Sequence, residues 1–179
     1  MGTDVSAVPM ATALSEIVAI EQLKARYCRY LDGKDWRAWR DIFADDLVMD
    51  LSQAGGDVVN GADALVAYTR KSIGKPSQIT VHQVHAPEIE LTLATTAKGV
   101  WAMNDVVRFV PGLSLIGYGH YYETYEKRPG CWFIKSSRLT RLREDLVTPL
   151  FSLRISDRMR NAAARFGHTT TTGEVRDER

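Results

Sequence analysis

The sequence predicts an α+β fold in which a curved antiparallel sheet packs against N-terminal helices. Three observations predict it. Apolar residues recur at helical spacing only in the first part of the chain and again near its end. Four long segments suited to extended structure follow one another from about residue 79 to residue 143. The breaks between the last three are Pro111-Gly112 and Arg128-Pro129-Gly130, both strong turn formers. Helices first and long strands afterwards describe a sheet resting on helices, with a pocket in the mouth of its curve.

Residues 1–12 read as a loose leader. Ile17, Ile20, Leu23, Tyr27 and Leu31 then mark one face of a first helix from about Ser15, a candidate cap, to Leu31. Asp32-Gly33-Lys34-Asp35 breaks it, and Asp35 can cap a short second helix whose Trp36, Trp39 and Phe43 share a face. A strand over Leu47–Leu51 leads through Gly55-Gly56 to a short partner. Asn60-Gly61-Ala62-Asp63 opens a third helix to about Ile73. Strands are expected over roughly 79–93, 97–110, 114–127 and 131–143. With no internal repeat, residues 13–148 form one expected domain. Residues 149–179 form a C-terminal extension with one helix, Ser156 to Phe166 stopped by Gly167, and a polar tail that reads as disordered or as an arm over a neighbouring subunit.

Composition narrows the function. At 179 residues and 20.1 kDa, with 45% hydrophobic and 25% charged residues, the chain can bury a core without staples. A net charge of +1 and a pI near 7.8 give no electrostatic reason to expect nucleic acid or an anionic membrane as partner and leave small neutral or apolar substrates open. The two cysteines, Cys28 and Cys131, form neither a disulfide framework nor a metal-type spacing. The N-terminus lacks a signal-peptide pattern, and no segment approaches transmembrane length. A cytoplasmic setting and no cofactor are therefore expected: no Gly-rich phosphate loop, Ser–His–Asp elbow or metal-binding helix is present.

Chemistry is concentrated in two strands. His82 and His85 lie three residues apart before Pro87, and Asp105 shares the apolar side of its strand with Trp101, Met103, Val107 and Phe109. A carboxylate there needs a compensating partner. An imidazole on a neighbouring strand would supply one and form a His–Asp pair able to move a proton near neutral pH. The plainer alternatives are a surface histidine and an acid tied to Arg108, Arg138 or Arg141. His85 should face away from His82 unless Pro87 brings a bulge.

Taken together, these motifs resemble the SnoaL-like branch of the NTF2-like superfamily, whose members are cone-shaped α+β barrels. The segment Tyr27-Cys28-Arg29-Tyr30-Leu31-Asp32-Gly33-Lys34-Asp35-Trp36, with His82, Pro87-Glu88-Ile89, Trp101 to Asp105, Tyr122 to Glu126 and Trp132, is similar to bile-acid 7α-dehydratases across about residues 14–145. The resemblance extends to scytalone dehydratase and a lindane dehydrochlorinase, which remove water or HCl with a histidine and aspartate pair. It implies that Tyr27, Asp32, His82 and Asp105 line the pocket, with Arg141 as a further pocket arginine.

The loop before the third helix, the Leu113–Tyr118 strand and the tail after Asp145 depart from that pattern and leave the substrate open. The resemblance implies a cofactor-independent dehydratase acting on a hydroxylated ring compound. His82 would be the base held by Asp105, while Tyr27 and Asp32 would assist the oxygen. Tyr30, His85, Arg141, Trp101 and Met103 are the candidate substrate-binding residues, and core packing is the alternative for the aromatic ones. The same pair would serve a ketosteroid-type isomerase or a polyketide cyclase, and a non-catalytic binding protein is the other class. A homo-oligomer, trimer or dimer, is expected from the family and from an apolar open sheet face.

Overall fold

The structure is a computed structural model that describes residues 9–156 together with 158 and 159. Helix α1 spans Met10–Asp32, α2 Trp36–Arg40 and α3 Ala62–Ile73. The strands are β1 (Phe43–Asp50), β2 (Val58–Asn60), β3 (Ile79–Leu93), β4 (Thr96–Val110), β5 (Leu113–Arg128), β6 (Cys131–Val147) and β7 (Ser152–Arg154). They form one curved, unclosed sheet in the order β2-β1-β6-β5-β4-β3, with β7 added to β6. The expected α+β cone is present. The sheet is mixed rather than purely antiparallel, because β1 runs parallel to β6.

Most elements follow from the local pattern. Ile20, Leu23, Tyr27 and Leu31 are buried on one face of α1, while the opposite face meets solvent. The helix begins earlier than expected, at Met10, so residues 10–12 belong to it. Ser15 is inside the helix and turns its hydroxyl back onto the Thr12 carbonyl instead of capping. Asp35 caps α2 as expected, accepting from the Ala38 N–H. Phe43 falls in β1 rather than in α2, buried against Trp39. Strand β7 was not anticipated: three residues show no usable periodicity. Of the expected C-terminal helix, most lies outside the described residues, as do residues 1–8 and the polar tail.

Two bulges set which side chains face the concave side. In β3 the register shifts between His85 and Glu88, where Ala86 takes φ 46°, and Pro87 is tolerated because β3 is an edge strand. In β6, Leu142 is the extra residue between Arg141, opposite Gly119, and Arg143, opposite Tyr118. That extra residue reverses the alternation. Arg141 and Glu144 therefore both turn inward although they are three positions apart, while the Arg143 side chain is 56% exposed.

Candidate functional site

The concave face and the helices enclose a cavity of about 380 Å³. Its wall is mostly apolar, built from Leu31, Trp39, Met49, Leu65, Val107, Phe109 and Leu139, and Leu51, Gly55 and Gly56 also line it. Tyr27, Tyr68, His82, Asp105, Tyr121 and Arg141 supply the polar groups, a composition typical of small-molecule sites.

One cross-strand row carries much of the charge. His82 in β3 lies opposite Asp105 in β4, Asp105 opposite Gly117 in β5, and Gly117 opposite Glu144 in β6. Register places these side chains on one face. The expected His82–Asp105 contact is not formed. Asp105 Oδ2 instead accepts from Arg141 Nη2 at 2.8 Å, and Arg141 Nε lies 3.1 Å from Glu144 Oε1 as an ion contact without aligned hydrogen-bond geometry. A guanidinium is the stronger partner for a carboxylate than a neutral imidazole, and it reaches Asp105 because Gly117 has no side chain in its path. Burial opposes the guanidinium charge, yet Asp105 and Glu144 leave the Arg141 pKa above its ordinary value.

His82 takes its carboxylate from the end of α1. Its Nδ1 lies 2.7 Å from Asp32 Oδ1, and its backbone N–H donates to Asp32 Oδ2 at 2.7 Å. Thr80 Oγ1 donates to Asp32 Oδ1 at 2.9 Å and accepts from Lys34 Nζ at 2.9 Å. An ionised Asp32 only accepts, so Nδ1 donates to it, and in the neutral ring that tautomer leaves the Nε2 lone pair free. The His82 side chain is 7% exposed and lies in the cavity wall, whereas Asp32 stands behind it, outside the lining. Asp32 can act there because Asp32-Gly33 ends α1 beside β3.

Tyr27 lines the cavity edge-on to Tyr121, ring centroids 5.9 Å apart. Burial first, and the Glu123 charge second, push its phenol far above the usual range, so it remains protonated and able to donate. The remaining sequence candidates fall elsewhere. Tyr30 is half-buried beneath the Arg29 guanidinium and is not part of the lining. Trp101 is buried with its indole N–H on Tyr125, and Met103 is buried beside Arg141 Nη1. His85 is exposed and absent from this lining; it borders a separate, shallower pocket that His82 also touches, with Cys28 and Asn104.

Sequence reasoning missed a second charged cluster. Lys24 and Glu123 are fully buried and 2.6 Å apart, and the Lys24 ammonium lies over the rings of Tyr27 and Tyr121 at 4.0 and 3.7 Å. The signal was available: Lys24 falls three residues before Tyr27 beside the apolar stripe of α1, and Glu123 alternates with Tyr121 and Tyr125. Among the described residues, no group of three or more His, Cys, Asp or Glu is placed to hold a metal ion, and no helix is long and apolar enough to cross a membrane.

With this geometry in place, the family follows from comparison. The model of the SnoaL-like domain matches residues 12–138. The chain belongs to the SnoaL-like family. A probable cyclase of Gibberella zeae is 25% identical over 144 residues, which cover 74% of this chain and 95% of that protein. Among solved structures, a candidate scytalone dehydratase from Novosphingobium aromaticivorans is similar with a TM-score of 0.69 and 24% identity, covering 76% of this chain and 90% of that one. A hexachlorocyclohexane dehydrochlorinase from Novosphingobium barchaimii is similar with a TM-score of 0.65 and 16% identity, covering 81% and 93%. These structural likenesses carry the fold. Related proteins thus include enzymes that act on small molecules.

Proposed function

We propose that the protein is a cofactor-independent dehydratase that removes water from a hydroxylated ring compound by abstracting a proton next to a carbonyl. The observation that carries this reading is the Asp32–His82 pair. A carboxylate holds Nδ1 of an imidazole in the wall of a largely apolar cavity, an arrangement that in the neutral ring leaves Nε2 to accept a proton. In the reaction, Nε2 takes the carbon-bound proton, and the freed electron pair forms the new double bond as the neighbouring C–O bond breaks. The imidazolium returns the proton to the departing hydroxyl, which leaves as water. Tyr27, kept protonated by burial, donates to the oxygen that gains charge. Asp32 orients and stabilises the imidazolium and does not touch the substrate.

The second reading, a cyclase, is favoured by the related probable cyclase of Gibberella zeae. There the same base would form an enolate that attacks a second carbonyl instead of expelling water. Residues 13–148 serve in either case as the working domain, with 149–179 as an extension. We place the protein in the cytoplasm as a homo-oligomer, trimer or dimer; Val48, Val81 and Tyr122 support this as exposed apolar side chains on the outer sheet face.

The test is proton exchange by NMR in heavy water on a panel of hydroxy-ketosteroids and aromatic ketones, with wild type and His82→Ala. Exchange or elimination that falls by about two to four orders of magnitude in the variant is expected. Tight binding with no exchange by the wild type would replace the catalytic reading with a carrier.

A further inference from the structure

The turn after α1 assigns its backbone conformations against the usual order. Glycine is the residue that ordinarily takes a left-handed backbone at a helix end. Here Gly33 keeps a right-handed φ of −74°, and Lys34 takes the left-handed one at φ 58°. A lysine held there is strained, and such strain concentrates at functional sites, where the surroundings over-determine it. The backbone fixes this one: the Lys34 N–H donates to the Leu31 carbonyl at 3.2 Å, and the Asp35 N–H to that of Tyr30 at 2.9 Å. From that turn the partly buried Lys34 side chain reaches β3, where Nζ donates to Thr80 Oγ1 at 2.9 Å.

Thr80 passes that contact on. Its hydroxyl has one proton, which goes to Asp32 Oδ1 at 2.9 Å, so it accepts from Lys34 through a lone pair. The same Oδ1 lies 2.7 Å from Nδ1 of His82. A cation therefore backs the very oxygen that supports the imidazole, through a threonine that is itself buried. Burial lowers the Lys34 pKa, while the Asp32 charge acts the other way and favours the ammonium. Lys34 is thus coupled to Asp32 both through Thr80 and through space.

We propose that Lys34 is a positioning residue for the proposed reaction: through Thr80 and Asp32 it offsets part of the carboxylate charge and keeps His82 able to accept a proton at lower pH. This rests on the proposed function for the role of His82. An unopposed carboxylate favours the imidazolium, and a cation behind it reduces that preference. The other titratable groups around the ring are Tyr27 and Cys28 on α1, His85 on β3, Asp105 opposite it on β4, Tyr121 on β5 and Arg141 on β6. Burial pushes the Cys28 thiol up to about 11 and both phenols above their ordinary range, which keeps these three uncharged near neutral pH. Asp105 and Arg141 engage each other at 2.8 Å. His85 is exposed, where water screens it. Of the cations near the ring, Lys34 is the one whose contacts lead to Asp32.

The test is a pH titration of the His82 ring resonances by NMR, assigned by their loss in His82→Ala, for the wild type, Lys34→Met, Lys34→Arg and Lys34→Gly. In Lys34→Met the midpoint should move up by about one pH unit, the lower end of what a nearby charge contributes. Lys34→Arg, which keeps the charge, should leave it close to the wild-type value. Lys34→Gly separates this role from a structural one. Glycine takes φ 58° without strain, so this variant should unfold at a urea concentration no lower than the wild type and still show the upward shift. It also serves if Lys34→Met does not fold. An unmoved midpoint in Lys34→Met and Lys34→Gly would overturn the proposal, and so would an equal shift in Lys34→Arg, because the charge would then not be what acts. In proton exchange, the acidic limb of the pH–rate profile should move with the midpoint in Lys34→Met; a uniform loss at every pH would make Lys34 merely structural. The ring titration needs no turnover, so the two readings fail separately: an unmoved midpoint leaves His82-dependent exchange untouched, and absence of exchange leaves the coupling of Lys34 to the pair standing.

Discussion

Under α1, Glu123 accepts from three donors: Lys24 Nζ at 2.6 Å and Ser137 Oγ at 2.9 Å on one oxygen, and the Tyr125 hydroxyl at 2.5 Å on the other. At the cavity, Asp105 accepts from Arg141 through Oδ2, and its Oδ1 is buried with no hydrogen-bond partner among the described residues. Both acids project from the same sheet face and both oppose one cation. The first is saturated and shut away from the cavity; the second is under-satisfied and forms part of its wall. Buried polar groups that only hold a fold together are normally fully paired, and those left short concentrate where a site needs spare electrostatic capacity. On the proposed reading, the contrast separates a structural ion pair from one that serves the site, without reference to residue type.

The sharpest way to break this comparison is to remove one partner of the saturated pair. Lys24→Met leaves Glu123 charged and buried without a cation, and should cost about 3–5 kcal/mol of folding stability in urea denaturation. Lys24→Met combined with Glu123→Gln removes both charges, keeps an oxygen acceptor for one of the Ser137 and Tyr125 hydroxyls while turning an amide N–H toward the other, and should recover most of that loss. If the single variant were as stable as the wild type, the cluster would not be the structural element described here.

The next effect lies at the cavity and is catalytic. Asp32→Asn keeps the size of the side chain and an acceptor for Thr80, but removes the charge that fixes the His82 tautomer and stabilises its protonated form. Exchange or elimination should slow by roughly tenfold to a thousandfold, within the range that a general base contributes. Combined with His82→Ala, the loss should be no greater than for His82→Ala alone, because Asp32 acts through that ring. Full activity in Asp32→Asn would show that the pair does not carry the chemistry.

How much of this was legible beforehand depends on range along the chain. The four long strands and three helices were readable because alternation and helical spacing act within a few residues, as in Ile20-Leu23-Tyr27-Leu31 and Trp101-Met103-Asp105. The residue pattern singled out His82 and Asp105, and family resemblance added pocket roles for Asp32, Tyr27 and Arg141. What could not be read was partnership. Asp105 was matched to His82 because an acid on an apolar strand face needs a partner, with Arg141 only among the plainer alternatives; a β6 bulge, invisible in a local pattern, brought Arg141 and Glu144 to the same face, and the alternative is the contact that forms. Likewise the parallel pairing of β1 with β6 joins segments some ninety residues apart, which no local signal specifies.

A smaller effect probes the geometry of the under-satisfied pair. Gly117→Ala introduces a Cβ into the space shared by Arg141 Nη1 and Asp105 Oδ1, so one of these must move within a packed sheet. The expected cost is about 1–3 kcal/mol by thermal or urea denaturation, as for other insertions into a close-packed interior. Gly112→Ala, in a solvent-exposed turn with φ 82°, makes a useful contrast: its penalty comes from backbone conformation and should leave cavity binding untouched, whereas that of Gly117→Ala should weaken it.

The smallest effect is at the periphery, where charge is partly screened. Glu16 on α1 accepts from Lys127 Nζ and Trp132 Nε1, each at 2.6 Å, and so ties the helix to the β5–β6 end of the sheet. The hydrogen bond from Lys127 is the main cause holding the Glu16 pKa below its ordinary 4.5; burial acts the other way, and Trp132 and the Lys127 charge add to the lowering. A carboxylate with a depressed folded-state pKa binds protons more weakly when folded, so it contributes stability above its unfolded value and loses it as pH falls through the folded value. Wild type should therefore exceed Glu16→Gln by about 0.5–1 kcal/mol at neutral pH, the scale of a partly exposed pair. The gap should stay constant down to pH 4.5 and close below it. Melting temperatures of the two proteins between pH 7 and pH 3 measure this directly. A gap that instead widened on acidification would mean that Glu16 is better paired when protonated, and would put the Lys127 contact outside the forces that seat α1 on the sheet.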